Sequence, residues 1–180
     1  MNSCAKKHYE LLVNLLDWSK AQFNQSSIIK DSCNLYEIIE KTVLYHRESL
    51  ESKELKVFNK VPKELTIQSN ESMLATVFRN LLSNAIKFSN PEGKIIFDIN
   101  YKNNEYTIKV EDQGIGMSQG TLKNLFNINY IRSLRGTKKE IGTGLGLILC
   151  REIIHQLNGK IIVLSEENIG SKFLISLPEK

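Results

Sequence analysis

Asn80 and Asn84 stand four residues apart, so on a helix their carboxamides share one face, about one turn from each other. Two neutral oxygen ligands in that arrangement suit a magnesium ion that keeps several waters and is shared with substrate phosphates. A solvated face with incidental asparagines gives the same pattern. Lys87 follows about one turn further on. Asp112-Gln113-Gly114-Ile115-Gly116 comes just after an alternating run that ends at Val110, which sets a carboxylate at a strand end beside glycines that let backbone approach a ligand. Such a carboxylate could read an exocyclic amine such as adenine N6, although Asp-x-Gly is also ordinary turn chemistry. Gly142-Thr143-Gly144-Leu145-Gly146-Leu147 precedes a helical stretch, where exposed N–H groups and the positive helix end attract phosphate. It lacks the Lys-Ser/Thr ending of a P-loop and follows a loop rather than a strand, so the P-loop and the dinucleotide fingerprint both fail.

These residues need elements to hold them. Tyr9 to Gln22 places Leu11, Leu12, Leu15, Leu16 and Trp18 near helical spacing, a stripe that wants another helix against it. Phe23 to Ser32 is polar and reads as a linker. Asn34 with Glu37 three residues on resembles a capping box, opening an amphipathic helix to about Glu54. Leu55 to Val61 and Glu64 to Gln68 are short strand candidates, with Pro62 as a turn between them. Asn70 can cap a helix over Glu71 to Phe88 that turns Met73, Leu74, Val77, Phe78, Leu81 and Leu82 inward, and Asn90-Pro91 ends it. Strands Lys94 to Asn100 and Tyr106 to Val110 form a hairpin around Asn103-Asn104. Asp112 to Thr143 is too long for an ordinary connection and reads as a functional loop, a lid with few apolar contacts and hence low local stability without a ligand. A helix from Gly144 through Leu157, stopped by Asn158-Gly159, and strands Lys160 to Ser165 and Lys172 to Leu177 complete the chain. Without a regular βαβ repeat, this order argues for an α+β fold, a two-layer sandwich with a mixed or antiparallel sheet.

Composition narrows the class. A chain of 180 residues, 41% hydrophobic, can bury one good core. The net charge of +4 is scattered and forms no basic stripe, which argues against nucleic acid as a partner. Cys4, Cys33 and Cys150 are odd in number and far apart, which fits free thiols better than disulfides or a zinc site. No apolar run approaches the length of a membrane span or a signal sequence.

The motifs gain meaning from their order. FRNLLSNAIKFS (Phe78 to Ser89), EDQGIGM (Glu111 to Met117), LFNINY (Leu125 to Tyr130) and GTGLGLILC (Gly142 to Cys150) resemble the N, G1, F and G2 boxes of the sensor histidine kinase catalytic domain. That domain belongs to the wider superfamily of gyrase, a heat-shock chaperone and mismatch-repair ATPases. The resemblance runs on to GKIIVLSEENIGSKFLISLP and covers nearly all of residues 30 to 180. LLVNLLDWSKAQ looks like the second helix of the family's dimerisation and phosphotransfer hairpin.

The resemblance implies a sheet that is mixed but largely antiparallel, three helices on one face and a long ATP lid. It divides the chain into a remnant of the hairpin helix and linker over 1–27 and a catalytic ATP-binding domain over 28–180. It implies ATP and Mg2+ as cofactors, with Asn84, helped by Asn80, holding the metal and Lys87 reaching the phosphates. Phe88 would line the nucleotide pocket, Asp112 would accept from adenine N6, and Gly114, Ile115 and Gly116 would shape the base pocket. Phe126 would belong to the lid. Gly142, Thr143, Gly144 and Gly146 would wrap the phosphates, with Leu145 and Leu147 opening the following helix.

Partners follow from the same likeness: a phosphoacceptor histidine on the dimerisation domain, a response regulator's receiver domain, and a second copy of the full-length parent. The location implied is cytoplasmic, within a parent of the often membrane-anchored sensor type. ATP-hydrolysing relatives carry a glutamate where this chain has Asn80, and an asparagine cannot take a proton from water. The expected reaction is therefore γ-phosphate transfer to a histidine. Rival readings are an interaction module with a degenerate site and an ATP-hydrolysing clamp. The family's acceptor is followed by an acidic residue, then a basic residue and a proline, a pattern that none of His8 (before Tyr9 and Glu10, without the proline), His46 (in Tyr-His-Arg-Glu-Ser) and His155 (in Ile-His-Gln-Leu-Asn) shows, so the chain is not expected to phosphorylate itself in the usual way. Two positions depart from the family pattern: Asn70 stands where aspartate is commoner, and Asn127 to Thr137 is neither acidic nor aromatic in character.

Overall fold

The computed structural model describes residues 31–127, 136–138 and 144–179. The helical stripe of residues 9–22, His8, Cys4, Gly142 and Thr143 lie outside the described residues.

The chain enters on strand β1 (Asp31–Asn34), where a linker was expected as far as Ser32. Nothing in Asp-Ser-Cys-Asn signals a strand. The segment is held instead by antiparallel pairing with β3 (Thr66–Ser69) and by Cys33, which is buried and directs its thiol at the Ser69 carbonyl. Asn34 caps helix α1 (Leu35–Tyr45), its side chain accepting from the Glu37 amide at 3.0 Å. The single helix expected to reach Glu54 is broken at His46, and α2 (Arg47–Ser52) resumes beyond it. Thr42 supplies a local reason: its hydroxyl donates back to the Ile38 carbonyl at 2.8 Å, an intrahelical bond that bends helices.

Strand β2 (Lys56–Asn59) does not pair with β3 across Pro62 but runs parallel to β4 (Lys94–Lys102). Helix α3 (Glu71–Phe88) begins at Asn70, whose side chain accepts from the Met73 amide, and its bounds are those expected from sequence. β4 turns into β5 (Glu105–Asp112) through Asn103 and Asn104, both at positive φ as a two-residue hairpin requires. The stretch after Asp112 is not loop throughout. A short helix α4 (Gln119–Asn124) sits in it, capped by Ser118, whose hydroxyl accepts from the Thr121 amide. Gly120 inside that turn hides it from a propensity reading. Helix α5 (Gly146–Gln156) and strands β6 (Lys160–Glu166) and β7 (Gly170–Pro178) follow.

The main sheet has the order β2-β4-β5-β7-β6, antiparallel except for β2 with β4. On one face α3 packs between α1 and α5, giving the mixed α/β sandwich with helices on one side. The core lies in that layer boundary: Phe78 of α3 meets Phe97 of β4 edge to face at 6.2 Å, among fully buried Leu74, Leu81, Ile95, Ile108 and Ile175. Cys150 is also buried and free. Among the described residues no helix is long and apolar enough to cross a membrane.

Candidate functional site

Where the hydrogen bonds at the end of α3 go determines where the site is. A helix leaves its last four carbonyls without intrahelical donors, and here those belong to Ala85, Ile86, Lys87 and Phe88. Ser89 returns its amide to Ala85 at 2.9 Å. The Lys53 ammonium donates to Ile86 and Lys87 at 2.7 and 2.9 Å. The Thr137 amide reaches Lys87 at 3.0 Å, and the Ile115 amide reaches Phe88 at 3.0 Å. The asparagine-bearing helix is therefore terminated by the Asp112–Gly116 turn and by the segment before the glycine-rich helix start. Motifs far apart in sequence meet there for backbone reasons.

Within α3, Asn80 and Asn84 are half-buried, one turn apart. The Asn80 Nδ2 donates to the Thr76 carbonyl at 2.9 Å, and a Cβ added at Gly146 would run into the Asn80 Oδ1. The first residue of α5 therefore lies close against this carboxamide, which would have to shift to admit a larger side chain. The Asn84 side chain makes no hydrogen bond among the described residues. Lys87 holds its ammonium 4.6 Å from the Phe88 ring centroid. Two carboxamide oxygens on one face suit magnesium as part of a coordination shell completed by phosphates and waters. Among the described residues no group of three His, Cys, Asp or Glu side chains could hold a metal without such help.

Asp112 ends β5 with 6% exposure, and its Oδ1 accepts from the Gly114 amide at 3.0 Å. Burial raises its carboxyl from the ordinary 3.8 to about 6, against the Gly114 and Ser171 amides, which favour the charged form, while the Glu111 charge adds to the rise. Gly114 bridges to Ser89, and a Cβ there would strike the Phe88 carbonyl. Gly116 is at φ +63°, and a Cβ would meet the Glu166 carbonyl. Ile115 is exposed, and its carbonyl accepts from the Asn168 amide at 2.7 Å. The β6–β7 turn therefore backs the Asp112 turn from behind, a role the sequence did not reveal.

Phe126, past α4, stacks under the Arg151 guanidinium of α5 at 5.4 Å, which ties the F-box residue to the glycine-rich helix. Gly144 is exposed at φ +77°, Leu145 precedes the first turn of α5, and Leu147 packs against the core. The structure brings together Asn80 with Gly146, Phe88 with Gly114 and Ile115, and Phe126 with α5. Asn84 and Lys87 share the helix that carries Asn80 and Phe88. Sequence reasoning missed Lys53, Thr137 and Arg151, which stand outside the four motifs, and Ser171, which lies in the C-terminal stretch of the resemblance without a role assigned to it. His155 is exposed on α5, and His46 sits in the α1–α2 junction with its ring edge-on to Tyr45.

Comparison with known proteins gives this geometry a context. Residues 69–180 match the model of the family described as "Histidine kinase-, DNA gyrase B-, and HSP90-like ATPase". The chain is 28% identical over 178 residues to the autoinducer 2 sensor kinase/phosphatase LuxQ of Vibrio vulnificus, covering 93% of this chain and 20% of that protein. It is 30% identical over 171 residues to the sensor protein kinase WalK of Staphylococcus haemolyticus, covering 93% of this chain and 28% of the relative. The chain thus spans well under a third of these curated relatives. Among solved structures, the nucleotide-free catalytic domain of histidine kinase ThkA superposes with a TM-score of 0.72 at 25% identity, covering 84% of this chain and 97% of that one.

Proposed function

The chain belongs to the family of histidine kinase-, DNA gyrase B- and HSP90-like ATPases, and from that premise we propose that it binds Mg-ATP and passes the γ-phosphate to a histidine on a helical hairpin, in two-component signalling. The observation that carries the reading is the meeting of three motifs at α3, with a carboxamide rather than a carboxylate at position 80, against the glycine that opens α5.

Each residue has a share in the proposed chemistry. Asp112 accepts from adenine N6, held at that angle by the Gly114 amide, while Gly114, Ile115, Gly116 and Phe88 form the walls of the base pocket. Asn84 and Asn80 supply metal ligands, Lys87 reaches the phosphates, and Phe126 belongs to the lid. Gly142, Thr143, Gly144, Leu145, Gly146 and Leu147 form the phosphate-binding loop and the helix start behind it. Magnesium, which Asn84 and Asn80 would help to hold, would neutralise charge on the phosphates. The imidazole nitrogen lone pair attacks the γ-phosphorus, an N–P bond forms, and the bond to the bridging oxygen breaks, with ADP leaving on that oxygen's electron pair. The chain contributes by positioning and charge stabilisation. Asn80 offers no base to water, which preserves ATP for the histidine.

In this proposal residues 28–180 are the catalytic unit, and residues 1–27 belong to the dimerisation hairpin of a homodimeric parent whose phosphate goes on to a response regulator. The test supplies a sensor-kinase hairpin in trans with γ-labelled ATP. Acid-labile label on the hairpin, absent when its histidine is changed to glutamine, supports the proposal. Steady phosphate release by the chain alone points to a hydrolysing clamp, and neither transfer nor hydrolysis points to an interaction module.

A further inference from the structure

Lys53 is 2% exposed and belongs to no motif assigned above. An ammonium leaves water at high cost unless acceptors replace its hydration. Among the described residues the acceptors include the Ile86 carbonyl at 2.7 Å, the Lys87 carbonyl at 2.9 Å and the Thr137 hydroxyl at 2.7 Å. Two of the three are terminal carbonyls of α3, where the helix dipole is negative. The third belongs to the segment joining the F box to the glycine-rich start of α5.

Thr137 is itself fixed on three sides. Its amide donates to the Lys87 carbonyl at 3.0 Å, its hydroxyl donates to the Ser89 carbonyl at 2.9 Å, and that same oxygen accepts from Lys53. The polarity runs one way, from ammonium to hydroxyl to carbonyl, which uses each proton once. The neighbouring Lys138 ammonium donates to the Ser52 carbonyl, adding a second tie to the end of α2. The next carbonyl of α3, that of Phe88, holds the Ile115 amide of the Asp112 turn. Two walls of the candidate site therefore hang from adjacent carbonyls of one helix end, and Lys53 organises the one that holds Thr137.

We propose that Lys53 is a positioning residue for nucleotide binding: through Thr137 it anchors residues 136–138, which lie in sequence between the F and G2 boxes, to the end of the asparagine-bearing helix. The affinity part of this inference rests on the ATP-binding reading, whereas the anchoring part does not. Lys53 acts without touching nucleotide. A lysine with a merely structural role would cap α3 and leave position 137 indifferent to it.

The experiment uses the full chain and the variants Lys53→Met, Thr137→Val and the double change. Three quantities are read: hydrogen exchange at the position 137 amide without nucleotide, the dissociation constant for a non-hydrolysable ATP analogue with magnesium, and the urea midpoint. Lys53→Met is expected to lower protection at position 137 about tenfold and to weaken the analogue by a similar factor, the loss of a charge-assisted bond. Thr137→Val, which keeps the buried lysine on its two helix carbonyls, is expected to weaken the analogue about fivefold with its urea midpoint held, so the inference stays testable if Lys53→Met folds poorly. The double variant should bind no more weakly than Lys53→Met alone, because both changes cut the same link. Parent-like binding by Thr137→Val, or losses that add in the double variant, would overturn the proposal. If the parent chain binds no analogue, the ATP reading falls with the affinity claim, and unchanged protection at position 137 in Lys53→Met would overturn the anchor as well.

Discussion

Replacing Asp112 by asparagine should make the protein more stable and a worse nucleotide binder at once. The carboxyl is raised from 3.8 to about 6, chiefly by burial, so the folded state binds its proton more tightly than the unfolded chain does. A carboxyl raised in this way contributes stability that is complete below pH 3.8 and is lost as pH rises through about 6. At pH 7 the ionised group therefore costs the fold up to about 3 kcal/mol, from about 1.4 kcal/mol for each pH unit between the two values. The substituted carboxamide would carry no charge, but it presents one oxygen and an NH2 donor where the carboxylate presents two oxygens to the Gly114 and Ser171 amides, which trims the gain to about 1–2 kcal/mol. Urea denaturation of parent and Asp112→Asn at pH 4.5 and pH 7 measures this. The variant's advantage should widen by about 2 kcal/mol between the two conditions, since every other titrating group is common to both. Calorimetry at pH 7 should show the same variant binding an ATP analogue about ten- to a hundredfold more weakly, the loss of a charged hydrogen bond. A stability gap that is flat with pH would refute the reasoning about burial, and unchanged binding would refute the role in recognition.

Other positions give sharper separations of fold from function. Asn84→Ala removes a half-buried carboxamide that makes no hydrogen bond among the described residues, so thermal unfolding should shift by no more than about 0.5 kcal/mol while the magnesium-dependent part of nucleotide affinity is lost. Gly146→Ala pushes a methyl group into the Asn80 carboxamide; the Asn80 side chain has to shift at the expense of its bond to Thr76, and a stability loss of about 1 kcal/mol with weakened analogue binding is expected from unfolding and titration. Asn70→Ala removes the cap on the Met73 amide and should cost about 1 kcal/mol in urea unfolding, with analogue affinity unchanged.

The legible parts of this molecule are those whose physics is local. Asn34 and Asn70 cap helices because a short polar side chain reaches an amide three residues on, and that spacing is written in the sequence. The α3 stripe and the Asn103-Asn104 hairpin are equally local. The order of the four motifs conveyed the family, and the carbonyls at the end of α3 bind the Asp112 turn through Ile115 and the stretch between the later motifs through Thr137. What stayed hidden depends on distant partners. β1 exists because β3 pairs with it, α4 rests on a serine cap in a glycine-containing stretch, and β2 chooses β4 over its sequence neighbour β3. Lys53 sits in Glu-Ser-Lys-Glu, a stretch that reads as solvated charge. Its burial depends on carbonyls more than thirty residues away, and only the folded chain brings them to it.

The most direct test of the central claim is a calorimetric titration of the chain with a non-hydrolysable ATP analogue, run with and without magnesium. The account predicts saturable binding at one site per chain, tightened by magnesium in the parent and held at its magnesium-free strength in Asn84→Ala. Absence of saturable binding, or binding indifferent to both magnesium and Asn84, would contradict it.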